Sequence, residues 1–288
     1  MELKLEKQVR VNDKARAGFF ALADDVFGLN FEEWHMKGYW SDSYTPYSLI
    51  DYGSVVANAS ANTIQFKFHD VSKLYIQIGT VMTKPSYRNR GLARLIIEEI
   101  IRDWEGRCES IYLYANNTVL DFYPKFGFAA EKEYQYSKNI VPRQAAVRKL
   151  NMESPSDVAF FEDYYSKSNP FSELAMIGNF GLVMFYCSSY LKDCVYYLEE
   201  ADAVAIAAFD GQVMTCFDIY CSDGKDFDDI LAQTAGPKTD TVAFGFTPKD
   251  KAGCFARPVD GDDALFVLSG KENIFAREKV MLPLLSHA

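Results

Sequence analysis

Residues 81–95, VMTKPSYRNRGLARL, join an apolar run to a helix-like run through a turn that holds Arg88, Arg90 and Gly91. A helix starting at such a turn leaves about four backbone N–H groups unpaired and carries partial positive charge at that end. Glycine lets the main chain come close to an anion, and Ala93 keeps the first turn uncrowded. Arg88, Arg90 and Arg94 add positive charge in an otherwise acidic chain. The pattern suits a phosphate held on the helix N-terminus. A glycine turn with solvent-facing arginines is the other reading of the same residues.

The surrounding residues favour the first reading. The segment resembles motif A of the GCN5-related N-acetyltransferase (GNAT) superfamily, a strand followed by [RQ]-x-x-G-x-[GA] and a helix. Here it reads Arg88-Asn89-Arg90-Gly91-Leu92-Ala93. The superfamily's next landmark is an Asn, a Tyr seven residues later and then Gly-Phe. It is matched by Asn116, Tyr123, Gly127 and Phe128. The resemblance covers residues 1 to about 145.

The resemblance implies acetyl-CoA as co-substrate, with roles carried over position by position. Main-chain groups of Val81, Met82 and Thr83 would hold the acetyl carbonyl and the pantetheine arm. Met82 N–H would serve as the oxyanion donor, because amine attack on a thioester develops negative charge on the carbonyl oxygen. Backbone N–H groups of Arg88, Asn89, Arg90, Gly91, Leu92 and Ala93 would cradle the pyrophosphate. Asn116 would touch the pantetheine, and Tyr123 would stand beside the CoA sulfur as general acid. The implied activity is N-acetyl transfer to a small amine by direct attack in a ternary complex.

One position departs from the pattern. In several superfamily members a Glu four residues before the position of Val81 is the general base, and here that residue is Gln77. Its amide takes up no proton at working pH but can hold a water or the acceptor. Other candidates for the base are Glu33, His35, Asp42 and Asp51, in or beside the aromatic stretch from Trp34 to Tyr52. The chain closes on MLPLLSHA, an apolar run where tails are usually polar. Either this tail packs on its own half, or it brings His287 and the Ala288 carboxylate to the first half's acceptor pocket. Some tandem members of the superfamily do the latter. Gln77 also leaves room for a non-catalytic acyl-CoA-binding or sensing module, a reading that Tyr123 in register opposes.

Composition narrows the partners. The chain has 288 residues, 49% hydrophobic, with a net charge of −10. That acidity argues against nucleic acid, which needs clustered Lys and Arg, and against an anionic membrane surface. No apolar run approaches the roughly 18 residues of a membrane span, and MELKLEKQVR is charged, so a cytoplasmic protein is expected. Six cysteines without C-x-x-C read as reduced thiols. His35, His69 and His287 lack metal-ligand spacing, so no metal is expected. An aromatic, acidic pocket would suit a small cationic or aromatic amine.

These residues need a frame of alternating strands and helices. Residues 15–28 have helical periodicity, followed by strands over 53–62 and 63–70, expected as an antiparallel pair joined around Ala61-Asn62. A strand over 73–83 leads to a helix over 92–104 with Leu92, Leu95, Ile96, Ile100 and Trp104 on its buried stripe. The nearly continuous apolar run 110–116 reads as a strand covered on both faces. In the second half, residues 154–168 and 173–190 read as helices, and 195–221 as strands with a hairpin at Asp210-Gly211. A short helix over 226–235 and strands over 240–248, 255–260 and 264–270 complete it. The repeated order predicts two GNAT-like α/β domains, residues 1–145 and 146–288, each a mixed, mostly antiparallel twisted sheet flanked by helices. The second lacks R-x-x-G-x-A. Asp223, Asp226, Asp228 and Asp229 crowd its helix start and would repel a pyrophosphate. No CoA site is expected there, and its aromatics, YCSSY and VYYLEE, read as core or interface. Its expected role is to close the acceptor pocket or to pair two copies as a homodimer.

Overall fold

The computed structural model describes residues 2–288. β1 (Leu3–Glu6) leads into α1 (Asp13–Phe27) and α2 (Glu32–Met36). The Asn12 side chain accepts from Ala15 N–H to start α1, and Gly28 ends it in the left-handed conformation. β2 (Tyr44–Asp51), β3 (Ser54–Phe68) and β4 (Val71–Thr83) then form an antiparallel meander. The turn expected at Ala61-Asn62 is absent: β3 runs straight through it, flanked there by β2 on one side and β4 on the other. The hairpin lies at Tyr52-Gly53, where both residues have positive φ. Small residues along 57–61 mark a buried middle strand, not a break.

α3 (Leu92–Trp104) crosses over to β5 (Ser110–Asn116), which runs parallel to β4. Its buried stripe includes Ile97 in place of the expected Leu95, which is 53% exposed. Next come β6 (Phe128–Glu131), β7 (Tyr134–Asn139), β8 (Val147–Lys149) and α4 (Pro155–Tyr165). The single helix expected over 173–190 is instead β9 (Leu174–Ile177) and α5 (Phe180–Cys187). Gly178 (φ 69°) separates them, and Asn179 caps α5 by accepting from Leu182 N–H. β9 pairs with the far end of β3, an edge that the sequence of β9 alone does not reveal. The remainder is β10 (Val195–Leu198), β11 (Ala203–Asp210), β12 (Val213–Tyr220), α6 (Phe227–Thr234), β13 (Thr241–Phe244), β14 (Cys254–Pro258) and β15 (Asp263–Leu268).

The fold is α/β, with two mixed, mostly antiparallel sheets flanked by helices. The first is ordered β1-β2-β3-β4-β5-β15-β6, with β9 added beside β3, and the second β14-β7-β13-β12-β11-β10-β8. Among the described residues each has one parallel pair, β4–β5 and β12–β13, joined across a helix. A division at residue 145 does not separate the sheets. β15, from near the end of the chain, lies between β5 and β6, while β7, from before residue 145, lies between β13 and β14. The second half thus lends β9 and β15 to the first sheet, and the first half lends β7 to the second. Their shared core joins Phe66, Tyr75 and Tyr112 of the first sheet to Phe161, Tyr220 and Leu282. All six cysteines are free thiols.

Candidate active site

β4 and β5 pair only from Tyr75/Ser110 to Ile78/Leu113. Beyond that point β4 bulges away, its register with β3 jumping between Asn58/Met82 and Ser60/Gly79. Thr80 sits in the bulge with φ 44°. Three polar contacts hold it: its Oγ1 pairs with the Tyr44 hydroxyl (2.7 Å) and donates to Ser60 (2.6 Å), and Asn58 Nδ2 donates to its carbonyl (3.1 Å). The strands part, and a cavity of about 1010 Å³ runs through the opening from the start of α3 to α2 and α5.

One end of this cavity lies at an uncapped helix start. Gly91 is the N-cap of α3 at φ 75°, and no side chain caps the helix, so its first N–H groups face outward unpaired. Nothing lies within 4 Å of where a Cβ would stand at Gly91, so glycine is required there by conformation, not by space. Arg88 Nε donates to Thr83 O (3.3 Å) and Arg90 to Ser86 O (2.8 Å), with Arg90 also over the Tyr87 ring. Arg88, Asn89, Gly91, Leu92 and Ala93 line the cavity; Arg90 lies outside the lining. Tyr87 anchors this loop by donating to Asp51, which also accepts from Glu2 N–H (2.7 Å). Those hydrogen bonds hold the Asp51 carboxyl below the usual carboxylate range.

At the centre the ladder corrects one expectation. Lys84 N–H donates to Val56 O, and Met82 stands opposite Asn58 in the same register. N–H directions alternate along an antiparallel strand, which turns Met82 N–H toward β3. The main-chain groups on the open edge belong to Val81 and Thr83. Tyr123 lies across the opening on a short turn, buried against Phe266 and Phe128. Burial pushes its phenol up to about 12, so it keeps its proton at neutral pH. Asn116 lines the cavity with its Oδ1 closing a turn onto Thr118 N–H (3.0 Å).

The other end belongs to the tail. Gln77 is buried and grips Ala288 twice: Ala288 N–H donates to Oε1 (3.0 Å), and Nε2 donates to Ala288 O (3.2 Å). Tyr186 donates to His287 O (2.6 Å). A Cβ on Gly79 would overlap the Ala288 oxygen, so glycine makes room for the tail. Of the two arrangements open to MLPLLSHA, the structure therefore has the one that reaches the first sheet.

The four acidic and histidine candidates from the aromatic stretch do not reach the cavity. Glu33 pairs with Lys37 (2.7 Å), Asp42 is 94% exposed beside Arg10, and Asp51 ties the loop as described. His35 packs edge-on against Trp40 and Phe20, where burial lowers its pKa. The same stretch supplies walls instead, through Trp34 and Tyr44, joined by Phe31, Phe185, Tyr186 and Tyr190. Tyr186 and Tyr190 belong to YCSSY, read from sequence as core or interface. The spacing of Leu182, Phe185 and Tyr186 on one face of α5 was the available signal.

Two groupings of titratable side chains had no sequence signal. Glu133 Oε1 accepts from the Tyr114 hydroxyl (3.1 Å) and from Leu282 N–H (2.7 Å), and burial pushes its carboxyl up to about 7. Both residues line the cavity. Elsewhere, His69, Glu173 and Glu278 place their ligand atoms within 4.8 Å of one another, a through-space grouping that chain spacing could not show. Each ring nitrogen of His69 faces a different carboxylate, at 3.1 and 3.4 Å. No helix among the described residues is long and apolar enough to cross a membrane.

Comparison with known proteins agrees with this geometry. Residues 9–130 match the family model described as "Acetyltransferase (GNAT) domain". A stretch of 93 residues is 29% identical to N-alpha-acetyltransferase 50 of Danio rerio, covering 30% of this chain and 55% of that protein. The match thus spans about half the length of that relative. Among solved structures, a probable N-acyltransferase of Enterococcus faecalis V583 superposes with a TM-score of 0.65 at 14% identity, over 93% of this chain and 72% of that one. Eis1 from Mycobacterium abscessus gives 0.57 at 13%, over 92% and 73%. At these identities the structures show the likeness of fold.

Proposed function

We propose that the protein, whose residues 9–130 match the GNAT acetyltransferase domain model, moves the acetyl group of acetyl-CoA to the nitrogen of a small amine. The transfer is a direct attack with both substrates bound. The observation that carries this is the single cavity itself: an uncapped helix N-terminus at one end, a parted strand edge at its centre and an aromatic arm at the other.

Each part has a task. The N–H groups at the start of α3 and the Arg88 side chain bind the pyrophosphate, and the edge of β4 guides the pantetheine. Val81 N–H, on the open edge, donates to the thioester oxygen as it becomes an oxyanion. Tyr123 gives its proton to the departing thiolate, which its high pKa equips it to do. The acceptor arm is walled by Phe31, Trp34, Tyr44 and Phe185, packed on one another at 5.6 to 5.8 Å. Of the expected carboxylates only that of Ala288 lines the cavity, while Glu33, Asp42 and Asp51 stay outside it, so the arm suits an amine with a flat apolar body better than a polycation. The second half supplies α5 and the tail to close this arm.

Acetyl-CoA titrated calorimetrically should bind wild type with micromolar affinity and lose binding at least 100-fold in Gly91→Asp. That variant places a carboxylate and a strained φ where the pyrophosphate sits. Tyr123→Phe should bind acetyl-CoA normally but turn over arylalkylamines far more slowly. Wild-type binding without turnover of any amine would make the protein a CoA-binding module and refute the enzymatic reading.

A further inference from the structure

We propose that Glu133 takes the proton released by the attacking amine, through the hydroxyl of Tyr114. This rests on the acyltransferase reading above. Tyr114 is the first residue of β5 beyond the last pair with β4, so it stands where the strands part. Its hydroxyl donates to Glu133, and its ring stacks on His287 at 4.2 Å between centroids. Glu133 is 8% exposed and has no cationic partner among the described residues. A buried carboxylate without a counter-ion is costly. Its two structural duties, accepting from Tyr114 and from Leu282 N–H, could be met by a glutamine at lower cost. An ionisable group in that place is explained by a use for its ionisation.

The groups facing Glu133 come from three elements. Tyr112 and Tyr114 on β5 and Tyr186 on α5 are all raised by burial and stay protonated. His287 in the tail is driven down to about 4 by burial and stays neutral, and its Nε2 has no hydrogen-bond partner. Ala288 is held by Gln77. Glu133 is therefore the side chain at this end that changes charge near neutral pH, as a base in this reaction must.

The step balances as follows. The amine nitrogen forms its bond to the thioester carbon while its proton passes to Tyr114 oxygen and the Tyr114 proton passes to Glu133. Collapse of the tetrahedral oxyanion breaks the C–S bond, and the thiolate takes the Tyr123 proton. Glu133 then loses its proton to solvent and Tyr123 regains one.

Glu133→Gln and Tyr114→Phe test this on the full chain with a fast arylalkylamine acceptor. Gln keeps the oxygen that both donors use, so acetyl-CoA affinity should be unchanged. Turnover per unit acceptor, kcat/KM, should fall on the order of 100-fold at pH 7. Its acidic limb should move from near neutrality toward the pKa of the amine itself. Tyr114→Phe leaves the carboxyl and its bond to Leu282 in place and should lose a similar factor, which keeps the test decisive if one variant fails to fold. A kcat/KM within threefold of wild type, with an unshifted pH profile, would overturn the role of Glu133 alone. A wild type that binds acetyl-CoA but acetylates no amine would overturn it together with the proposed function.

Discussion

The chain makes the same crossover twice and finishes it in opposite ways. β4–α3–β5 and β12–α6–β13 are both a strand, a helix and a parallel strand, each the parallel pair of its sheet. In the first, the helix begins at an uncapped Gly91 with arginines around it, and the strands part after four residue pairs. In the second, Asp226 accepts from Asp229 N–H and closes the helix end itself. Asp228 pairs with Lys138 and Asp229 with Arg143, so the acidic cluster is neutralised from within the protein. That ladder also has four residue pairs, but its strands stay close at the next step: Gly245 N–H bonds Cys216 O (2.7 Å), and a Cβ on Gly245 would strike the Phe217 main chain. The tail passes this closed crossover, where Leu284 N–H donates to Gly245 O, and ends in the open one against Gly79. Topology supplies the place for a ligand. Charge at the helix start and the parting of two strands decide whether it is one.

The sharpest way to break this comparison is to treat the halves as separable. A chain cut after residue 145 loses β15 from between β5 and β6 and leaves β7 without β13 and β14. One inner sheet position is then unfilled, β3 loses its partner β9 and β7 is left unpaired, so residues 1–145 should fail to fold, giving collapsed near-UV circular dichroism and no acetyl-CoA binding. Co-expression with residues 146–288 should restore both. A stable, binding fragment would show that the exchanged strands are dispensable.

A smaller effect separates the two helix starts. Asp226→Ala removes the cap of α6 and should cost about 1 kcal/mol, lowering the melting temperature by about 2 °C. Its acetyl-CoA affinity should equal that of wild type. Gly91→Asp should also lower the melting temperature by a few degrees, because aspartate is strained at φ 75°, but there binding disappears. Calorimetry and thermal melts on both variants read the contrast, and a loss of acetyl-CoA binding in Asp226→Ala would place a ligand at the second crossover.

The residues at the α3 end of the cavity were mostly legible in the sequence. Arg88 to Ala93, Asn116 and Tyr123 announce themselves through local spacing, because a glycine turn and a helix start are made by neighbours in the chain. The acceptor end was mostly hidden, because it is assembled from α2, α5, Glu133 and the tail, which meet only in space. Gln77 was visible as a departure from the pattern, but its partner Ala288 lies 211 residues away. The strand exchange was equally invisible. β15 reads as an ordinary closing strand, and no local feature of β7 or β15 says which sheet it closes. Glu33, His35, Asp42 and Asp51 misled for a related reason: a segment can wall a pocket with its aromatic face while its charges point to solvent or to other loops.

The finest discrimination concerns two buried carboxyl groups, one in each crossover's surroundings. Asp218, on β12, accepts from Ile219 N–H (3.0 Å), from the Tyr220 hydroxyl (2.7 Å) and from Asn169, away from the cavity. Burial pushes it up to about 6 from an ordinary 3.8. The folded chain therefore keeps this proton over a range in which the unfolded chain has released it. Its contribution to stability is full below about pH 4 and is lost as pH rises through about 6. Asp218→Asn should remove that dependence, so the denaturation midpoint of wild type should fall more between pH 4.5 and 7.5 than that of the variant. Turnover as a function of pH should be the same in both, because Asp218 touches no part of the reaction path. Glu133→Gln should show the opposite partition, with the pH profile of kcat/KM displaced. If Asp218→Asn moved the turnover profile, the two carboxyl groups would be coupled across the shared core, and the separation between a structural and a reactive crossover would fail.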